Sequence, residues 1–364
     1  MGRKAYLAFE EKDYEELGVA KTPMPWEDGF RSTGVAGSFE WWYTDAEFEG
    51  GMKAVVIFYT KKMFDIAGPA NPTVSFQLTL PDGTYYESVF SEGENNLIKA
   101  SKEYCDVKIG NNLLRYSDGN YEIHFEKDDV VYDCLMKPKT PMWRPGTGIN
   151  YFGENKENIF AWFVAMPSAY TTATLSFKGE KYELSGNGYH DHNWGDIPMQ
   201  NILNHWYWCR ANIGGYTVIS SDLVAEKEYD YNRIIHFLVA GNGEILADDP
   251  SKVKVRRLDT RQHPVTGKFI DNHLVFTYED GGKKYILEYI RDHDIQAASL
   301  LDVMGLTPEQ KTMAQKAGIN PTYVRIIGKV RLTVDENGEA SVAEEEGLWE
   351  QMFFGSNKEA IIGE

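Results

Sequence analysis

The residues of this chain best suited to chemistry concentrate mid-sequence. Gly188-Tyr189-His190-Asp191-His192-Asn193-Trp194-Gly195-Asp196 is soon followed by His205-Trp206-Tyr207-Trp208-Cys209-Arg210. The two runs hold three of the eight His and three of the nine Trp. Both residue types carry N–H groups that need partners when buried, so the cluster implies a ligand-facing pocket or an unusually polar core. Alternate side chains of a strand share a face. His190, His192 and Trp194 therefore point one way, and Tyr189, Asp191 and Asn193 the other. On the next strand-like run Tyr216, Val218, Ser220 and Asp222 share a face. Asp222 is a carboxylate in a largely apolar run, where burial would raise its pKa and suit it to general acid catalysis. A two-residue turn at Gly214-Gly215 sets Asp222 across from Tyr207, on the face of His205. A three-residue turn sets it beside Trp206 and Trp208. The plainer reading of Asp222 is a cap or an ion pair, for instance with Arg210.

Other chemistries leave weaker traces. His190 and His192 have chelating spacing, and Asp196 or Asp222 would complete a site, but no second ligand-spaced cluster stands nearby. The expectation is no metal, with both His bonded to backbone or carboxylates. A second aromatic knot, Ser38 to Phe48, puts Glu40, Trp42 and Thr44 on one face and Phe39, Trp41, Tyr43 and Asp45 on the other. Paired Trp in a strand reads as core, or as an aromatic wall for a flat ligand. Gly186-Asn187-Gly188 is too short for a phosphate loop and lies between strands. There is no Gly-x-Ser-x-Gly elbow, and the three Cys show no nucleophile signature. No cofactor is expected.

The elements that must position these residues are hairpins. Turn signals recur at Pro81-Asp82-Gly83, Ser117-Asp118-Gly119-Asn120, Lys178-Gly179, Gly214-Gly215, Gly241-Asn242-Gly243, Asp280-Gly281-Gly282 and Asn337-Gly338, flanked by period-2 runs. This predicts an antiparallel all-β protein. One helix is well signalled: Thr307 as N-cap, Pro308 first inside, Gln310 closing a capping box and Gly318 stopping it after Met313 to Ala317. A second candidate is Glu10 to Leu17. The length of 364 residues suggests two domains, placed at 1–196 and 197–364, with a loosely held tail from Ser356. A net charge of −18 argues against nucleic acid and anionic membrane partners. No apolar run is long enough for a membrane span, and the N-terminus lacks a signal-peptide core. Three Cys fit a reducing compartment, and the expected localisation is cytoplasmic. The oligomeric state is not legible.

A Glu-Trp-Trp-Tyr strand, a mid-chain Gly-Tyr-His-Asp-His-Asn-Trp-Gly and a His-Trp-x-Trp-x-Arg strand together resemble the carotenoid 1,2-hydratase (hydroxyneurosporene synthase) and AttH-like family. Gly347-Leu348-Trp349-Glu350 to Phe354-Gly355 fits its usual close, and the resemblance spans nearly the whole chain. It implies two tandem lipocalin-like β-barrel or sandwich domains with few short helices. It implies hydration of isoprenoid double bonds or of the prenylated isoflavonoid kievitone, or pericyclic cyclisation as in fungal Diels–Alderase relatives, without metal or redox cofactor. The family hydratases use a His-x-Trp pair, matched by His192 and Trp194, and a downstream Tyr-x-Asp pair, matched by Ser220 and Asp222. Asp is retained and Ser stands where the family has Tyr, which leaves Tyr207 or Tyr216 to fill that role. The expected reaction is thus acid-catalysed hydration or dehydration of a C=C bond in a hydrophobic small molecule. Asp222 is the expected proton donor, His192 its hydrogen-bonding partner and Trp194 an aromatic stabiliser. Trp41, Tyr43, His190, Trp206, Tyr207, Trp208, Tyr216 and Ser220 are expected to contact the ligand. The alternatives are an isomerase or pericyclic cyclase on a similar substrate, or a lipocalin-like binder without chemistry.

Overall fold

The computed structural model describes residues 4–32, 36–61, 68–302, 306–316 and 319–355. Strands dominate. The first thirteen are β1 (Ala5–Leu7), β2 (Phe39–Phe48), β3 (Lys53–Tyr59), β4 (Thr73–Thr79), β5 (Tyr85–Ser91), β6 (Lys99–Ala100), β7 (Asp106–Ile109), β8 (Asn112–Ser117), β9 (Asn120–Lys127), β10 (Val130–Pro138), β11 (Ile149–Phe152), β12 (Asn158–Phe177) and β13 (Glu180–Gly195). The rest are β14 (Leu203–Ile213), β15 (Tyr216–Ala225), β16 (Arg233–Gly241), β17 (Glu244–Ala247), β18 (Val253–Gln262), β19 (Phe269–Asp280), β20 (Lys283–Ser299), β21 (Thr322–Glu336) and β22 (Glu339–Phe353). The helices are α1 (Glu11–Leu17) and α2 (Pro308–Lys316).

All seven turn signals join paired antiparallel strands. At Gly214-Gly215 both φ angles are positive, 56° and 85°. This is a two-residue turn whose twist matches that of its strands. The expected capping box at α2 is present, with Gln310 N–H donating to Thr307 Oγ1 and Thr307 N–H to Gln310 Oε1. Ala317, Gly318 and the tail 356–364 lie outside the described residues.

The chain forms two compact units. The first is Ala8–Ile149 with Asn158–Pro198, and the second is Met1–Leu7, Asn150–Glu157 and Met199–Glu364. In the first unit the strand order is β5-β4-β3-β2-β13-β12-β10-β9-β8-β7-β6. In the second it is β17-β16-β15-β14-β22-β21-β20-β19-β18. The plans correspond. In each, an initial hairpin strand (β2 or β14) pairs with its sequence neighbour on one side and with a late strand (β13 or β22) on the other.

Alternation along the strands gives each unit its own apolar core. Trp42, Phe58, Phe76, Phe125 and Phe163 pack in the first, and Tyr207, Phe237, Phe276, Tyr289 and Trp349 in the second. Each such side chain contributes about 1.5–3 kcal/mol on burial. The other faces of β2 and β14 carry Trp41 and Tyr43, and Trp206 and Trp208. Among the described residues no helix is long and apolar enough to cross a membrane.

Candidate active site

The Gly188–Asp196 motif is strand β13, paired on one side with β2 and on the other with β12. Its interior face carries His190, His192 and Trp194, as alternation predicts. Both His are fully buried, and both nitrogens of each ring face an oxygen. His190 Nδ1 meets the Tyr43 carbonyl at 2.8 Å, and its Nε2 meets Asp28 Oδ2 at 3.0 Å. His192 Nε2 meets Glu40 Oε1 at 2.8 Å, and its Nδ1 lies 3.3 Å from Asp28 Oδ1. Tyr121 O–H also donates to Asp28, at 2.5 Å. Burial alone would raise the Asp28 carboxyl, but the two imidazoles hold it well below the usual carboxylate range. Burial would lower His192, yet Asp28 and Glu40 raise it. The His192 ring stacks on Trp42, with centroids 4.5 Å apart, and leans on Trp194 at 4.7 Å.

Asp28, Cys105 and His190 bring metal-ligand atoms within 4.8 Å of one another. Burial pushes the Cys105 thiol well above its ordinary value. Its S–H points to the Leu114 carbonyl at 4.0 Å, while Asp28 Oδ2 accepts from Tyr121 and faces His190 Nε2.

The opposite face of β13 carries Tyr189, Asp191 and Asn193, all buried, and becomes exposed towards Asn187. Cross-strand pairing puts Asp191 beside Tyr43, and Asn193 between Trp41 and Trp162. Along β2 this face runs from buried Phe39 and Trp41 (9% exposed) through half-buried Tyr43 and Asp45 to exposed Glu47. Asp191, 7% exposed, sits where that gradient begins to open. Three donors hold its carboxyl: Trp162 Nε1–H at 2.9 Å, Tyr189 O–H at 2.7 Å and Asn193 Nδ2–H at 2.9 Å. Burial pushes it up to about 6, against the opposing pull of Tyr189 and Trp162. Asp191 thus shows the raised carboxyl expected at Asp222, on a face that also carries Trp41 and Tyr43.

Asp222 differs from its expected role. The two-residue turn does set it across from Tyr207, on the face of His205. Its burial is complete, as expected. Its partners are Arg257 Nε at 2.7 Å and Arg233 Nη2 at 2.5 Å, while Arg210 lies on the other face of β14. Burial would raise the carboxyl, but the two guanidinium groups bring it down to about 2. An acid that strongly ionised cannot deliver a proton near neutrality. Nor is His192 its partner: both ring nitrogens of His192 face carboxylates of the first unit. His205 instead accepts from Arg257 Nη1, and burial beside that cation holds it well below its ordinary value.

Ser220 stands where the resemblance implies Tyr. Ser220 Oγ donates to the hydroxyl of Tyr289 on β20, at 3.1 Å. The Tyr207 hydroxyl accepts from Asp271 N–H and Gln351 Nε2. Tyr216 sits at the turn end of β15, about 20 Å along the strand from Asp222. Of the expected ligand-contacting residues, Trp41 and Tyr43 share the Asp191 face, Trp206 and Trp208 share a face of β14, and His190, Tyr207 and Ser220 are buried inside their units. Sequence reading missed Asp28, Glu40, Arg233, Arg257 and Tyr289 as partners, and no local signal points to them.

The fold and site define a class: two antiparallel β units of one plan, each with an aromatic outer wall. A protein-family model described as AttH-like matches residues 71–294, more than half of the chain, and the chain belongs to the AttH-like family. It is 26% identical over 213 residues to a hydroxyneurosporene dehydrogenase of Chlorobaculum tepidum, a match covering 48% of this chain and 54% of that protein. The chain thus spans about half the length of that curated relative. The structure of CghA with Sch210972 shares the fold, with a TM-score of 0.60 at 14% identity, covering 92% of this chain and 96% of that one. Kievitone hydratase of Nectria haematococca shares it with a TM-score of 0.51 at 16% identity, covering 89% and 90%.

Proposed function

We propose that this chain is an enzyme that adds water to, or removes it from, a carbon–carbon double bond of a hydrophobic small molecule, with Asp191 as the proton donor. The observation that carries this reading is a nearly buried carboxyl, raised to about 6, on a wall of aromatic rings. Protonating an unactivated alkene needs a positioned neutral acid and a surface that tolerates positive charge. The Asp191 O–H proton passes to one alkene carbon, leaving a cation at the other beside the faces of Trp41 and Tyr43. Water adds to that cation, and its released proton returns to the Asp191 carboxylate. Alkene plus water gives alcohol, and the enzyme is restored. Trp162, Tyr189 and Asn193 orient the carboxyl. The kinship with kievitone hydratase supports this substrate class at the level of fold.

The test uses kievitone and an acyclic carotenoid as probes, read by the mass gain of one water. Wild type should convert at least one of them, and Asp191→Asn should lose about a hundredfold or more in rate, the usual share of a general acid. Turnover by Asp191→Asn at the wild-type rate would sink the proposal. Binding of both probes with no conversion would favour the carrier reading.

A further inference from the structure

Asp191 is not the only carboxyl held in this way. In the second unit Glu350, on β22, is half-buried. Glu350 accepts from Trp206 Nε1–H at 3.3 Å and Tyr323 O–H at 2.7 Å. One indole and one phenol also hold Asp191. The positions correspond in the fold. Asp191 lies on the late strand β13, beside Tyr43 of β2, and Glu350 lies on the late strand β22, beside Trp208 of β14. Asn193 pairs with Trp41, and Met352 with Trp206. The second unit therefore repeats the device: an acid between aromatic rings, on the face turned away from the core. Trp206, Trp208 and Tyr323 are each half-buried, so this face is reachable. Arg325 is the cross-strand neighbour of Glu350 on the far side.

We infer that the outer face of the second unit, centred on Glu350 with Trp206 and Trp208, is a second ligand site. Its ligand is a flat, unsaturated or aromatic molecule carrying a hydroxyl donor. The rings of Trp206 and Trp208 supply stacking area, and Glu350 accepts from the ligand's hydroxyl. The inference rests on the reading of the Asp191 face as ligand-facing, since the two share one construction.

The experiment is titration of the full chain with genistein, an isoflavone with phenolic hydroxyls and no alkenyl side chain to hydrate, followed by calorimetry and tryptophan fluorescence. Wild type should bind two molecules per chain. Glu350→Gln and Trp208→Ala should each weaken one binding event at least tenfold, and Glu350→Asp should restore part of it. Glu346→Gln, on the exposed stretch of the same hairpin, controls for the loss of a surface charge. Thermal unfolding identifies any variant that fails to fold, and the near-isosteric Glu350→Gln decides if Trp208→Ala does. Stoichiometry and affinity unchanged in a folded Glu350→Gln would overturn the inference. The Asp191→Asn turnover assay is read separately. Retained turnover there, together with a lost event in Glu350→Gln, would sink the proposed reaction and leave the second site standing.

Discussion

Two carboxylates, both buried, are driven in opposite directions by their neighbours. Asp191 is held by neutral donors, and burial leaves it raised to about 6. Asp222 is fully buried, but Arg257 and Arg233 hold it down at about 2. The contrast yields two predictions. At pH 7 about one Asp191 in ten is protonated. Hydration draws on that form, so turnover should fall as pH rises through about 6, and a rate profile over that range checks it. A rate that climbs across the window would contradict the acid role. Asp222 behaves as a structural charge. Its pKa is lowered from an unfolded value of about 3.9, so the stability it provides is fully present above pH 4 and is lost as pH falls towards 2. Asp222→Asn leaves buried Arg257 without its carboxylate and should cost on the order of 3–5 kcal/mol, while the molecules that remain folded keep their turnover. Denaturant midpoints and rate per folded molecule separate the two effects.

At the scale of elements, β13 is the piece on which everything depends. It presents the buried His–carboxylate network on one face and Asp191 on the other, so a shift of one residue would exchange them. Glycine sets its close approach to β2 and β12. A Cβ at Gly188 would lie 2.4 Å from Thr171 Oγ1 and 3.0 Å from the Asp45 carbonyl. Gly188→Ala should therefore cost about 1–3 kcal/mol through overpacking and should displace Asp191, three residues on. Its turnover should fall further than its folded fraction, and a loss confined to stability would refute the positioning role. The hairpins were legible because Asn, Asp and Gly at the turns allow the positive φ these connections need, and alternation assigned the faces of β2, β13 and β15 correctly. The partners were not legible, because folding brings together residues distant in sequence. Asp28 ends a short 3-10 helix, Pro25–Asp28, ahead of β2, and meets His190 162 positions later. Arg257 lies in a charged run on β18 that reads as a solvated strand, yet its side chain is buried against Asp222. The apolar context of Asp222 truthfully signalled burial. It carried no sign of the two Arg that reverse the effect of that burial.

The whole molecule repeats one plan twice, and each repeat closes its own core. The first unit gathers Trp42, Phe58, Phe76 and Phe125, and the second Tyr207, Phe237, Phe276 and Trp349. The ion pairs described above stay within one unit as well: Asp28 with His190 and His192 in the first, Asp222 with Arg233 and Arg257 in the second. Units with separate cores and separate buried charges can unfold as separate cooperative blocks. Calorimetry should then show two transitions. Asp222→Asn should lower one and leave the other in place, whereas Gly188→Ala should lower the other. A few kcal/mol in a unit of this size corresponds to a shift of several degrees, well within resolution. If either substitution moves both transitions together, or only one transition exists, the two repeats unfold as a single body. The stability cost at Asp222 would then be felt at Asp191, and its effect on turnover would have to be measured under conditions where the whole chain stays folded.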